Sequence, residues 1–271
     1  MLRLTPPIGA VALCEYRLND PEGGVDLSVP LPPPGQRLQW EQWQEVCANI
    51  DRALRGAKGV LREPWLEFDH PFRDSPGVFF RLDHRRGPRQ QGVLEARRQL
   101  LPSLTTTWLI PEPGGGDLGI SHCGFFPGRP SHQQGRIRLN LTGPHQWSWL
   151  QQQASDLCTP GLHRLLNQAS LCWSATLDWG GEGLDQLGFE LFPAGRLQRG
   201  SAADAPEVQA LLHTLAPWCP AAAIEHCRRR HHNWHQEVAP GHTEGFSHIK
   251  LSPHSDGTWS MKLYLLSHAT G

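Results

Sequence analysis

Apolar residues recur along the chain with two different periods, and the switches between them divide it into elements. Trp40, Trp43, Val46, Cys47, Ile50 and Leu54 fall at helical spacing and predict an amphipathic helix over 38–57. Two alternating runs, 65–69 and 78–83, read as strands, and 93–101 reads as a short helix. Strands over 104–110, 118–126 and 136–141 are separated by Pro/Gly turns. Trp149, Leu157, Leu162 and Leu166 mark a helix over 145–166. A hairpin then joins 171–179 to 186–192 around Gly180-Gly181-Glu182-Gly183. Helices over 206–215 and 221–234 precede a closing hairpin, 246–251 with 258–265, which turns at Ser255-Asp256-Gly257. Residues 1–37, rich in Pro and Gly, read as an arm leading into one domain over 38–271.

Hairpins imply antiparallel pairing, which sets this order apart from the βα repeat of a parallel barrel. Period-two parity sorts each strand into two faces. One face is apolar, with Leu66, Phe68, Phe80, Leu139, Leu177, Phe189, Ile249 and Leu263 among its members. The other carries Glu67, Phe79, Arg81, Arg136, Arg138, Asn140, Ser174, Thr176, Asp178, Glu190, Phe192, Phe246, His248, Lys250, Lys262 and Tyr264. Two architectures fit. One is an open sheet with helices behind and a solvated polar front. The other closes about ten strands into a barrel with helices outside and a polar interior wide enough for a ligand.

Composition narrows the function classes. The 271 residues carry 25 Lys+Arg against 26 Asp+Glu, a formal net charge of −1, which argues against non-specific adhesion to nucleic acid or membrane. No apolar run approaches the roughly 18 residues that span a bilayer. Seven Cys without a CxxC pair read as reduced thiols, hence a cytoplasmic protein. Among the 25 basic residues only Lys58, Lys250 and Lys262 are Lys, and only Tyr16 and Tyr264 are Tyr. Two of three Lys and one of two Tyr therefore fall in one C-terminal hairpin. Lys is a compact point charge and Arg a planar fork, so the choice bears on how an anion is met.

Three segments carry a resemblance: GRIRLNLTGPHQWSWL, LCWSATLDWGGEGLDQLGFELF and SHIKLSPHSDGTWSMKLYLL. With the Leu-Glu pair of WLEFDHPFRDSPGVFFRLDH, they resemble the ABBA-type prenyltransferases, and among these most of all the cyanobactin peptide prenyltransferases. The resemblance implies an α+β fold in which an antiparallel barrel is ringed by helices. It implies transfer of a dimethylallyl or geranyl group from an allylic diphosphate to a side chain of a cyclic or modified peptide. A non-catalytic ligand- or peptide-binding barrel of the same fold is the alternative. In that likeness Arg136, Arg138, Lys250, Lys262 and Tyr264, with Arg81 and His248, hold the diphosphate. Magnesium serves at most as a diphosphate counter-ion, with no protein-bound metal and no DDxxD motif. Glu67 corresponds to the catalytic glutamate as proton acceptor, with Asp69 and Asp178 as fallbacks. Phe79, Phe126, Asp178, Phe192 and Phe246, with Tyr264, line the prenyl and acceptor pocket, the rings shielding a cation. The expected partners are the peptide and the isoprenyl diphosphate, with the protein a monomer.

Other signals are weaker. Gly114 to Gly119 spells GxGxxG between two strands with no helix after it, the wrong context for a dinucleotide. Cys227, His231 and His235 share one helix face at metal-ligand spacing, but Arg228 to Arg230 would repel a cation. Asn140-Leu141-Thr142 is a glycosylation sequon by spelling alone.

Overall fold

The computed structural model describes residues 11–18, 24–36, 43–71, 75–86, 88–101, 119–133, 135–143, 146–181, 183–194, 205–219, 221–225, 227, 242–254 and 256–269. Ten strands hydrogen-bond in the closed order β1-β10-β9-β8-β7-β6-β5-β4-β3-β2, and the ladders are antiparallel. They are β1 (Val11–Arg17), β2 (Val25–Pro30), β3 (Leu61–Phe68), β4 (Gly77–Leu82), β5 (Gly119–Phe125), β6 (Ile137–Thr142), β7 (Leu171–Gly180), β8 (Gly183–Pro193), β9 (His242–Pro253) and β10 (Trp259–Ala269). Among the described residues the helices include α1 (Gln44–Gly56), α2 (Arg89–Leu100), α3 (Pro130–Gln133), α4 (Gln146–Gln153), α5 (Pro160–Leu166) and α6 (Pro206–Leu215), and 221–225 is also helical. The barrel, of the two architectures, is the one the chain forms.

The chain divides into two compact units. The first is Met1–Pro7, Ser28–Trp149 and Thr176–Leu187; the second is Ile8–Leu27, Leu150–Ala175 and Gly188–Gly271. The first unit is built as its alternation dictates. Leu66, Phe68, Phe80, Ile137, Leu139 and Leu141 are all buried on one face. Trp43, just before α1, meets Phe68 edge-on at 5.0 Å, which seats the helix on that face. Cys47, Ile50 and Ala53, one stripe of α1, are its buried residues. In the second unit Phe189, Leu191, Ile249, Leu251, Met261, Leu263 and Leu265 are buried in the same alternating manner, and Trp173 packs on Phe189 at 5.8 Å.

Three readings need correction. The supposed arm supplies β1 and β2, and β1 pairs with β10 from Val11↔His268 to Arg17↔Lys262. Its strand signal is short: Ala12, Cys14 and Tyr16 point to the core while Glu15 lies on the other parity, a pattern lost among flanking Pro and Gly. The helix over 145–166 is two helices. Thr159 caps α5, its side chain accepting from the Leu162 N–H at 3.2 Å, and Pro160 cannot continue a preceding helix. The ladder between β9 and β10 shifts at Tyr264/Leu265, so Phe246 stands opposite Leu265 rather than in the row of His248. Phe246 is therefore buried on the core face, not in a polar pocket. The strand expected over 104–110, the 114–118 part of the Gly-rich turn, and residues 226 and 228–234 of the helix expected over 221–234, with His231 and His235, lie outside the described residues.

Candidate active site

In the first unit, β3, β6, β7 and the turn after β5 bring three carboxylates and two guanidiniums together. Arg129, in that turn, donates through Nε and Nη2 to Asp69 at 2.8 and 2.5 Å, and through Nη2 to Glu67 at 2.5 Å. Arg138 grips Asp178 with Nε and Nη2 at 2.8 and 3.0 Å. His132, fully buried, donates from Nδ1 to the Arg136 carbonyl at 2.9 Å and places Nε2 3.2 Å from Asp178. The Phe126 ring lies under both guanidiniums, 3.7 Å from Arg129 and 4.9 Å from Arg138.

Two glycines make room for these rings. A Cβ on Gly124 would come within 2.7 Å of Phe79, and one on Gly77 would run into Phe126. With no side chain there, Phe79 and Phe126 meet edge to face at 5.2 Å. Burial opposes ionisation of Asp178, yet the charge of Arg138 and the hydrogen bonds from His132 and Arg138 outweigh it and hold the carboxyl well below its ordinary range. The guanidinium of Arg138 is reciprocally held charged: its burial is overcome by Asp178.

In the second unit, three adjacent ladders align two polar rungs. One runs Arg17, Lys262, Lys250, Glu190; the other runs Glu15, Tyr264, His248. Directly opposed like charges repel. The Lys250–Lys262 pair is bracketed by acids: Lys262 Nζ and the Tyr264 hydroxyl both donate to the Glu15 carboxylate, and Glu190 lies across from Lys250 while accepting from Ser174 at 3.0 Å. Burial would raise the Glu15 carboxyl, but the charge of Lys262, hydrogen bonds from Lys262 and Tyr264, and the pull of Lys250 hold it well below the usual carboxylate range. His248 stacks on Tyr264 at 4.1 Å and meets Phe192 at a tilt, 4.8 Å between centroids.

The expected site residues therefore separate. Lys250, Lys262, Tyr264, His248 and Phe192 come together in the second unit, and Glu67, Asp69, Asp178, Arg138, Phe79 and Phe126 in the first. Arg136 pairs with Asp185 at 2.9 Å at the edge of β6. Arg81 joins neither group: its side chain is 54% exposed and pairs with the equally exposed Glu63 at 2.8 Å. Glu15, Arg129 and His132 were not legible as site residues. Only the Glu of VALCEYR, at a polar parity position, offered a signal. Burial pushes the Cys158 thiol up to about 11 and the Cys219 thiol to about 12, which makes them poor nucleophiles. Among the described residues no three His, Cys, Asp or Glu side chains are grouped to hold a metal, and no helix is long and apolar enough to cross a membrane.

No family model matches the chain, and no curated protein sequence matches it. Among solved structures it is similar to 5-dimethylallyltryptophan synthase from Streptomyces coelicolor, at 13% identity and a TM-score of 0.49, over 94% of this chain and 80% of that one. It is also similar to AnaPT from Neosartorya fischeri, at 11% identity and a TM-score of 0.48, over 96% of this chain and 79% of that one.

Proposed function

We propose that the protein transfers a prenyl group from an allylic diphosphate, dimethylallyl or geranyl, to a side chain of a peptide acceptor. The observation that carries this reading is the pair of rungs in which Lys262 faces Lys250 and Tyr264 faces His248, on the polar side of a closed antiparallel barrel. In it, Lys250, Lys262 and Tyr264 donate charge-assisted hydrogen bonds to diphosphate oxygens. Those donors strengthen as the allylic C–O bond breaks and its electron pair moves onto the diphosphate. The packed rings of His248, Tyr264 and Phe192 keep water from the allylic cation. The acceptor's electron pair forms the new bond to the allylic carbon, and its proton leaves to a carboxylate. The resemblance assigns that role to Glu67, which pairs with Arg129 at 2.5 Å. Magnesium serves as a counter-ion on the diphosphate, since both Glu15 oxygens already accept from Lys262 and Tyr264.

Mass spectrometry of the protein with dimethylallyl and geranyl diphosphate against a peptide panel tests the reading. A prenylated peptide is expected with the native chain and none with Lys250→Ala or Lys262→Ala. Folded protein that yields no product with any pair overturns it. A second reading, a barrel that binds a ligand or peptide without catalysis, is favoured by one observation: Arg81, Arg136, Arg138 and Lys262 each already face an acid. It predicts a ligand-dependent rise in Tm with no change in ligand mass.

A further inference from the structure

The donors assigned to the diphosphate already hold an anion that belongs to the chain. Glu15 is opposite Tyr264 across the β1–β10 ladder, and its two oxygens take the Tyr264 hydroxyl and the Lys262 ammonium. It is 6% exposed, whereas the Lys262 side chain is 30% exposed, so the lysine can be approached while the carboxylate stays covered. We propose that Glu15 is a tethered competitor for the anion site, setting the charge that an incoming ligand must carry; this rests on the diphosphate reading of the same patch. To bind, an anion must take Lys262 and Tyr264 from Glu15. A single phosphate exchanges one anionic group for another and gains little. A diphosphate spans further and also reaches Lys250 and His248, the next residues along the two rungs. The competitor therefore selects polyphosphates over monophosphates. It cannot diffuse away, because its strand is fixed by backbone pairing on both sides of residue 15.

The test is calorimetric titration of inorganic pyrophosphate and inorganic phosphate into the native chain at fixed ionic strength. The variants are Glu15→Gln, Glu15→Asp, Lys250→Ala and, as an exposed charge control, Asp156→Asn. Glu15→Gln is expected to bind pyrophosphate at least tenfold tighter than the native chain and to bind phosphate measurably, with Asp156→Asn unchanged. Should Glu15→Gln fail to fold with its lysines unscreened, Glu15→Asp carries the test. It keeps the charge but draws the carboxylate back by one methylene, and a smaller tightening is expected. Equal or weaker pyrophosphate binding in the folded Glu15 variant overturns the proposal, as does equal tightening by Asp156→Asn. Native binding that disappears in Lys250→Ala, with no tightening on loss of Glu15, leaves the diphosphate reading standing and the competitor refuted. Absence of pyrophosphate binding in every variant, or binding undiminished in Lys250→Ala, overturns both.

Discussion

The two polar clusters are built from the same charges but from different chemistry. In the first cluster each guanidinium is forked onto a carboxylate, Arg138 on Asp178 and Arg129 on Asp69, and both lie against the Phe126 ring. A planar fork on a planar acceptor has one good geometry, and the aromatic ring removes the remaining freedom. In the second unit Glu15 meets one ammonium and one neutral phenol hydroxyl, Lys262 and Tyr264, each at a single point. An ammonium keeps its attraction in many orientations, so its partner can be exchanged. The difference is one of exchangeability: the partners of the first cluster are locked by geometry and those of the second are negotiable.

The largest expected effect would break this contrast from the locked side. Glu67→Gln keeps the shape of a buried side chain and should lower turnover about 10²–10⁴-fold, the usual contribution of general acid–base catalysis. Pyrophosphate affinity should be unchanged. A loss of affinity in calorimetry, with turnover per bound donor intact, would instead make Glu67 a donor-binding residue.

Next is Asp178→Asn. It strands the Arg138 guanidinium, whose side chain is 14% exposed, and should cost about 3–5 kcal/mol in urea unfolding. A change below about 1 kcal/mol would mean that the forked pair is not what locks the first unit.

A smaller effect belongs to pH. Asp178 and Glu15 both have folded pKa values held well below their unfolded ones. The stability they contribute is complete above the unfolded carboxylate range and is lost as pH falls through that range toward the folded values. At pH 3 the loss should be about 1–2 kcal/mol for each. Asp178→Asn should flatten the acid limb of the stability curve, and an unaltered limb would refute the assignment.

The last effect, similar in size to the acid limb, sharpens the aromatic part. Gly124→Ala pushes a Cβ against Phe79 and should cost about 1–3 kcal/mol by overpacking, seen as a lowered Tm. An unchanged Tm would show that Phe79 yields without loss.

How much of this was legible in the sequence follows from whether the signal is local. Alternation in LCWSATLDW and in WSMKLYLL fixes the faces of β7 and β10, because side-chain period alone decides them. The same rule misplaces Phe246, since one bulged residue inverts parity and nothing in GFSHIK announces it. The concentration of Lys250, Lys262 and Tyr264 was readable as a composition anomaly. Their neutralisation by Glu15 was not, because Glu15 and Lys262 are 247 positions apart and meet only through the β1–β10 ladder. Arg129 was hidden likewise: a turn arginine finds Glu67 and Asp69 only in three dimensions, 62 and 60 positions away.

That β1–β10 ladder also sets a schedule. Contacts between distant positions form slowly, since the chain must surrender the freedom of everything between them before any reward arrives. Of the ten strands β1 is synthesised first and β10 last, so this ladder closes only after the other eight have been made, and whatever Glu15, Lys262 and Tyr264 do together has to await it.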